Sequence, residues 1–156
     1  MVSLGKGAGG ELNRDSKRTL GGLAVISGSV TGSLIVSSEP LSFWGGYDFN
    51  NGKIIDRQHQ LSGQVVKDRI LVIPGTKGSS TTTAVLLEAV LKGTAPLAIV
   101  TLGVDSFLSL ALVVAGEMYG KSIPLISLGS EDFISLESDQ EVCLEEDGTI
   151  ILCGSG

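Results

Sequence analysis

Lys77-Gly78-Ser79-Ser80 is the stretch of this chain whose residue types could do chemistry. A serine hydroxyl is a poor base until it loses its proton. As an alkoxide it can remove a proton from carbon, provided that hydrogen-bond donors and positive charge stabilise the oxygen. Gly78 lets a backbone approach closely. Lys77 supplies a cation, and Thr81, Thr82 and Thr83 follow at once. The same residues suit plain helix capping, because Ser and Thr oxygens accept from the unpaired N–H groups of a first turn. Pattern alone leaves both readings open.

The neighbouring elements must position that stretch. Ile70-Leu71-Val72-Ile73 is a short β-branched and aliphatic run, ended by Pro74 and Gly75, and predicts a buried strand. From about Thr81 to Leu91 the spacing predicts a helix. Its core stripe is Ala84, Leu87 and Leu91, widened by Val85, Leu86 and Val90. The unit is therefore strand, glycine loop and hydroxyl-rich helix start. A helix N-terminus points free N–H groups and partial positive charge at whatever precedes it, which suits an anion or a forming alkoxide.

Other chemistries find little support. Gly75 and Gly78 are too close for a phosphate-binding loop, and no Lys-Ser or Lys-Thr follows the second glycine. Gly5, Gly7 and Gly10 match a dinucleotide fingerprint in form, but no strand precedes them. The Gly-x-Ser-x-Gly elbow of hydrolases is absent. His59, the single histidine, lies in a polar stretch with nothing to place an acid behind it. It reads as a surface or structural residue. Cys143 and Cys153 alone cannot build an iron–sulfur cluster or a structural zinc site. A two-residue turn at Asp147-Gly148 would send them to opposite faces of a hairpin, and a three-residue loop would reverse that parity.

A hydrophobic content of 42% over 156 residues suits one domain with a sizeable core. A net charge of −6 argues against a nucleic-acid partner. No Lys or Arg follows Lys121, whereas Glu131, Asp132, Glu137, Asp139, Glu141, Glu145, Glu146 and Asp147 do, as expected of a solvated acidic face. No apolar run is long enough to span a bilayer, and Met1 does not open a signal peptide, so no membrane role and a cytoplasmic location are expected.

In chain order, residues 1–20 read as a flexible tail and 21–156 as the folded domain. Leu23 to Ser27 and Ser33 to Ser37 predict a hairpin or two adjoining strands. In Phe43-Trp44-Gly45-Gly46-Tyr47 the aromatic pair either staples the loop to the core or borders a surface where a ligand or another backbone comes close. Asn50-Asn51-Gly52 marks a turn, and Ile54-Ile55-Asp56 a further strand. Leu97 to Thr101 and Ile123 to Ile126 predict strands on either side of a helix capped by Asp105 or Ser106 and stopped at Gly120. That helix is apolar nearly all round and should be buried or covered by a partner. Glu141 to Leu152 predicts a hairpin. The fold class is α/β: a β-α-β-α-β centre with β-rich ends.

Pro40-Leu41-Ser42-Phe43-Trp44-Gly45-Gly46, with Gly52, Asp56, Gly63 and Ile73-Pro74 through Gly78-Ser79-Ser80, resembles the small, swivelling subunit or domain of aconitase X. Ala95-Pro96 fits as well, and the resemblance covers Leu23 to Ile126. It implies a swivelling β/β/α-type domain and a hydro-lyase that removes water from a hydroxy acid. It also implies that the first serine of the Gly-Ser-Ser segment, Ser79, is the base, with Lys77, Gly78 and Ser80 about the substrate. Thr81 stands where aconitase has an arginine on a substrate carboxylate, which argues against a tricarboxylate. The resemblance further implies a large subunit or domain as partner, carrying the iron or iron–sulfur centre, while this chain binds no cofactor. Trp44 and the Gly-Ser-Ser ending favour a cis-3-hydroxy-L-proline dehydratase over a phosphomevalonate dehydratase. The competing expectation is a non-catalytic module that binds an anion or a partner.

Overall fold

The computed structural model describes residues 18–77 and 81–153. Of the expected tail, Met1 to Lys17 lie outside the described residues. Its last three residues are strand, because β1 spans Arg18–Gly21. The other strands are β2 (Leu23–Ile26), β3 (Val30–Val36), β4 (Tyr47–Asp48), β5 (Lys53–Ile54), β6 (Ile70–Ile73), β7 (Ala98–Leu102), β8 (Leu125–Leu128), β9 (Glu141–Leu144) and β10 (Thr149–Leu152). Three helices, α1 (Thr81–Lys92), α2 (Ser106–Tyr119) and α3 (Ser130–Ile134), complete the described elements.

Eight strands form one sheet in the order β1-β10-β9-β3-β6-β7-β8-β2. Its centre, β3-β6-β7-β8, is parallel, as the strand–helix alternation predicts. Its flanks are antiparallel. The predicted pairing of Leu23–Ser27 with Ser33–Ser37 does not occur. β2 pairs with β8 instead, three strands removed from β3. In a flat sheet β2 and β3 would lie about 19 Å apart, at roughly 4.8 Å per strand. The link from Ile26 to Val30 reaches about 14 Å at most. The sheet must therefore curl. Gly22 closes it, since β1 on one edge and β2 on the other are separated by that residue alone. Its amide donates to the Gly148 carbonyl at 3.1 Å.

Alternation along the central strands sorts side chains into two cores. Ile70, Val72, Ala98 and Val100 join Leu34, Ile126, Val142 and Ile150 inside the curled sheet. Leu71, Ile73 and Ile99 meet Leu86, Ala89, Leu108, Ala111 and Leu112 of the helical layer. All four residues of β6 are completely buried, which is why this strand reads as an unbroken apolar run. Each such side chain contributes about 1.5–3 kcal/mol of burial. The arrangement of two sheet faces and one helical layer is the expected β/β/α class.

α1 occupies its predicted span but is rotated. Thr82, Val85, Leu86, Ala89 and Val90 are buried, whereas Ala84 is exposed and Leu87 and Leu91 are half-buried. A stripe wide enough to hold all these positions does not specify its own centre; packing against α2 and β6 does. Gly93 (φ 76°) ends the helix, with Thr94 N–H reaching back to the Ala89 carbonyl. β8 starts two residues later than predicted, after Pro124. α3 has no counterpart in the sequence reading. It inserts Phe133 into the curled sheet's core.

The β9–β10 hairpin has a three-residue loop. Glu145 N–H bonds the Thr149 carbonyl, and Gly148 takes φ 95°. Cys143 stands opposite Ile151 and Cys153 N–H bonds Glu141. The two cysteines therefore share a face, against the two-residue reading, and neither forms a disulfide.

Candidate active site

Because β3, β6, β7 and β8 are parallel, their carboxyl ends share one edge. In α/β sheets that edge is where ligands bind. The segments leaving it are Ser37 to Leu41, Pro74 to Lys77 and Gly103 to Asp105. Gly78, Ser79 and Ser80 lie outside the described residues. Their attachment points do not: Lys77 ends the segment after β6, and Thr81 begins α1.

The segment before Gly78 is held from two sides. On one, Leu41 N–H donates to the Gly75 carbonyl at 3.1 Å and Lys77 N–H to the Leu41 carbonyl at 3.1 Å, a parallel bridge centred on Thr76. On the other, Asp105 Oδ2 accepts from the Thr76 amide at 2.7 Å and from its hydroxyl at 2.8 Å. Asp105 Oδ1 accepts from Leu108 N–H at 3.0 Å and so caps α2 as expected. Leu102 N–H bonds the Pro74 carbonyl at 3.2 Å. The Lys77 side chain is exposed on this edge. In the first turn of α1, Thr83 Oγ1 is buried with no hydrogen-bond partner.

After β3, a polar cluster fixes the neighbouring loop. Ser37 is fully buried beside Gln60, whose Oε1 also accepts from the Ser38 amide at 3.0 Å and hydroxyl at 3.1 Å. Of the two readings of His59, surface or structural, its burial rules out the first, and both ring nitrogens are bonded.

The aromatic loop divides its roles. Phe43 and Tyr47 are buried with ring centroids 5.1 Å apart, whereas Trp44 is 67% exposed. Phe43 staples the loop to the core, whereas Trp44 does not. Gly46 permits the fold of this loop, since a Cβ there would lie 2.2 Å from the Ser42 carbonyl oxygen. Trp44 lines a groove of about 340 Å³ with Phe49, Ala84, Val85, Glu88 and Lys92. The Lys92 ammonium stands 5.8 Å from the Phe49 ring centroid. Tyr47 donates to the Thr94 carbonyl at 2.7 Å, and burial pushes its phenol far above the usual range.

α2 buries only Leu108, Ala111, Leu112 and Ala115. Val104, Phe107, Leu110, Val113 and Met118 are exposed. Among the described residues, no three His, Cys, Asp or Glu side chains converge as metal ligands. Both cysteines lie on the β9–β10 hairpin, away from the carboxyl edge, so the described donor set does not fit an iron–sulfur centre. The sequence reading missed the tie between Asp105 and Thr76. The cap signal was visible, but a contact across 29 residues leaves no local spacing.

A family model described as the aconitase X swivel domain matches residues 19–152. The chain is 45% identical over 105 residues to a cis-3-hydroxy-L-proline dehydratase of Pseudomonas aeruginosa. That match covers 67% of this chain and 18% of the relative, so the chain spans about a fifth of that protein's length. It is 38% identical over 125 residues to the phosphomevalonate dehydratase small subunit of Methanothermobacter thermautotrophicus, covering 79% of this chain and 91% of the relative. A crystal structure of Thermococcus kodakaraensis aconitase X in its holo form superposes with a TM-score of 0.76. The identity there is 27%, over 86% of this chain and 98% of that one.

Proposed function

Because this chain belongs to the aconitase X swivel-domain family, we propose that it serves as the small subunit of a hydro-lyase and supplies the serine base. Ser79 Oγ takes the proton from the carbon beside a substrate carboxylate as the neighbouring hydroxyl departs. The positive end of α1 and the Lys77 charge lower the cost of the alkoxide, and Gly78 and Ser80 line the substrate. The supporting observation is that the family match spans both arms of the clamp, Leu41 and Asp105, that hold the segment leading to Gly78.

The substrate we favour is cis-3-hydroxy-L-proline, on the 45% identity to the Pseudomonas dehydratase. The second reading, phosphomevalonate, is favoured by length, since the match takes in 91% of that small subunit. A large chain completes the cleft, covering Trp44 and the exposed side of α2, and any iron centre resides there. No helix among the described residues is long and apolar enough to cross a membrane, and the working location is the cytoplasm.

The test is to reconstitute the chain with a large subunit and assay both substrates. Ser79→Ala should abolish turnover while Ser80→Ala retains part of it. Loss in Ser80→Ala alone would move the base by one residue. The chain purified by itself should be folded and inactive and should carry no iron. Stoichiometric iron in the isolated chain would overturn the division of labour.

A further inference from the structure

We infer that Asp105 is a positioning residue for the junction between β6 and α1, and through it for the base; the inference rests on the proposed role of Ser79. The two carboxylate oxygens do separate jobs. Oδ1 caps α2 through Leu108 N–H, which any short N-cap side chain can do. Oδ2 takes two donors from one residue of a different element, the amide and the hydroxyl of Thr76, at 2.7 and 2.8 Å. Short bonds to an ionised acceptor are the strong kind. Gly75 makes room for this approach, since a Cβ there would lie 3.2 Å from Oδ2.

Thr76 is thereby fixed on one flank by Asp105 and on the other by the bridge to Leu41. It cannot slide along the sheet edge without breaking bonds on both sides. Ser79 follows Thr76 by three residues in the chain. A base tolerates little displacement, because errors on the order of 1 Å cost roughly a hundredfold in rate. A carboxylate that holds the anchor thus acts on turnover without touching substrate.

Separating the two oxygens tests this. Asp105→Ser keeps a capping oxygen for Leu108 but is too short to reach Thr76; Asp105→Ala loses both bonds. In the assembled enzyme, Asp105→Ser should lower kcat about ten- to a hundredfold, with KM within about threefold and the melting temperature lowered only by the loss of the two Thr76 bonds. Asp105→Ala should show the same kcat with a lower melting temperature. Thr76→Val should lower kcat severalfold, and Thr76→Ser should restore it. Hydrogen exchange at the Thr76 amide should speed at least about tenfold in Asp105→Ser.

Wild-type kcat in Asp105→Ser, or unchanged exchange at Thr76, overturns the inference. So does a kcat loss that tracks melting temperature across the two Asp105 variants. Ser79→Ala in the same assay separates the two readings. If it is inactive while Asp105→Ser is normal, only the positioning role fails. If it turns over normally, the base reading fails and the positioning role falls with it.

Discussion

His59 Nε2 donates to the Pro40 carbonyl at 3.1 Å, across 19 residues. The roles are set by the other nitrogen, since Nδ1 accepts from Leu61 N–H at 3.0 Å. The ring is buried, so a neutral imidazole with its proton on Nε2 satisfies two backbone groups. One of them, Pro40, precedes the residue that bridges Thr76. His59→Ala strands both groups and should cost about 2 kcal/mol or more. Denaturant midpoints check this. If the chain works in the proposed hydro-lyase, turnover per folded molecule should stay within about twofold of wild type; a hundredfold loss would mean that the ring takes part in the chemistry.

What the sequence disclosed and what it hid divide along a physical line. Strand β6, helices α1 and α2 and the hairpin near Asp147 were visible because local signals define them: an unbroken apolar run, Asp105 as cap, Gly93 and Gly120 as stops. Hidden features depend on residues far apart in the chain. β2 turns to β8 because the sheet curls, and no signal in Leu23 to Ser37 reports that. Trp44 and Phe43 are adjacent and alike in type, yet one is exposed and the other fully buried. The hydroxyl-rich start of α1 was legible as a candidate site; the Asp105 carboxylate that bonds Thr76 just before it was not.

Tyr47 makes a prediction about alkaline stability. Its phenol is buried and donates to the Thr94 carbonyl, and burial raises its pKa well above the ordinary 10.0. A raised folded-state pKa means that the neutral phenol's contribution is complete below about pH 10. Above that, the unfolded chain releases the proton and the folded one does not, so stability falls as pH rises. Tyr47→Phe should cost about 1 kcal/mol at pH 7. That gap should narrow by up to about 1.4 kcal/mol per pH unit above pH 10. Midpoints at pH 7, 10 and 11 measure it, and a gap that stays constant contradicts the assignment.

Gly22 tests the closure of the sheet. A Cβ there would lie 2.4 Å from Ile126 Cγ2 and 2.8 Å from the Gly148 carbonyl oxygen. Gly21, one residue earlier, would meet nothing within 4 Å. Gly22→Ala should therefore destabilise by about 1–3 kcal/mol, and Gly21→Ala by much less. Equal effects of the two substitutions on thermal melting would show that this seam is not tightly packed.

Phe43 and Trp44 should separate folding from assembly. Phe43 is completely buried against Tyr47, so Phe43→Ala removes core volume and should cost about 3–5 kcal/mol. Trp44 is 67% exposed and rests on a shallow groove beside α1, so Trp44→Ala should change stability by less than about 0.5 kcal/mol. If the large chain covers this surface, the order reverses in binding. Trp44→Ala should weaken association at least about tenfold, as loss of an aromatic anchor does at an interface centre. Leu110→Asp on the exposed side of α2 should do the same. Calorimetric titration of the two purified chains gives the affinities. Wild-type affinity in both variants would move the interface elsewhere, and the apolar side of α2 would then need another cover.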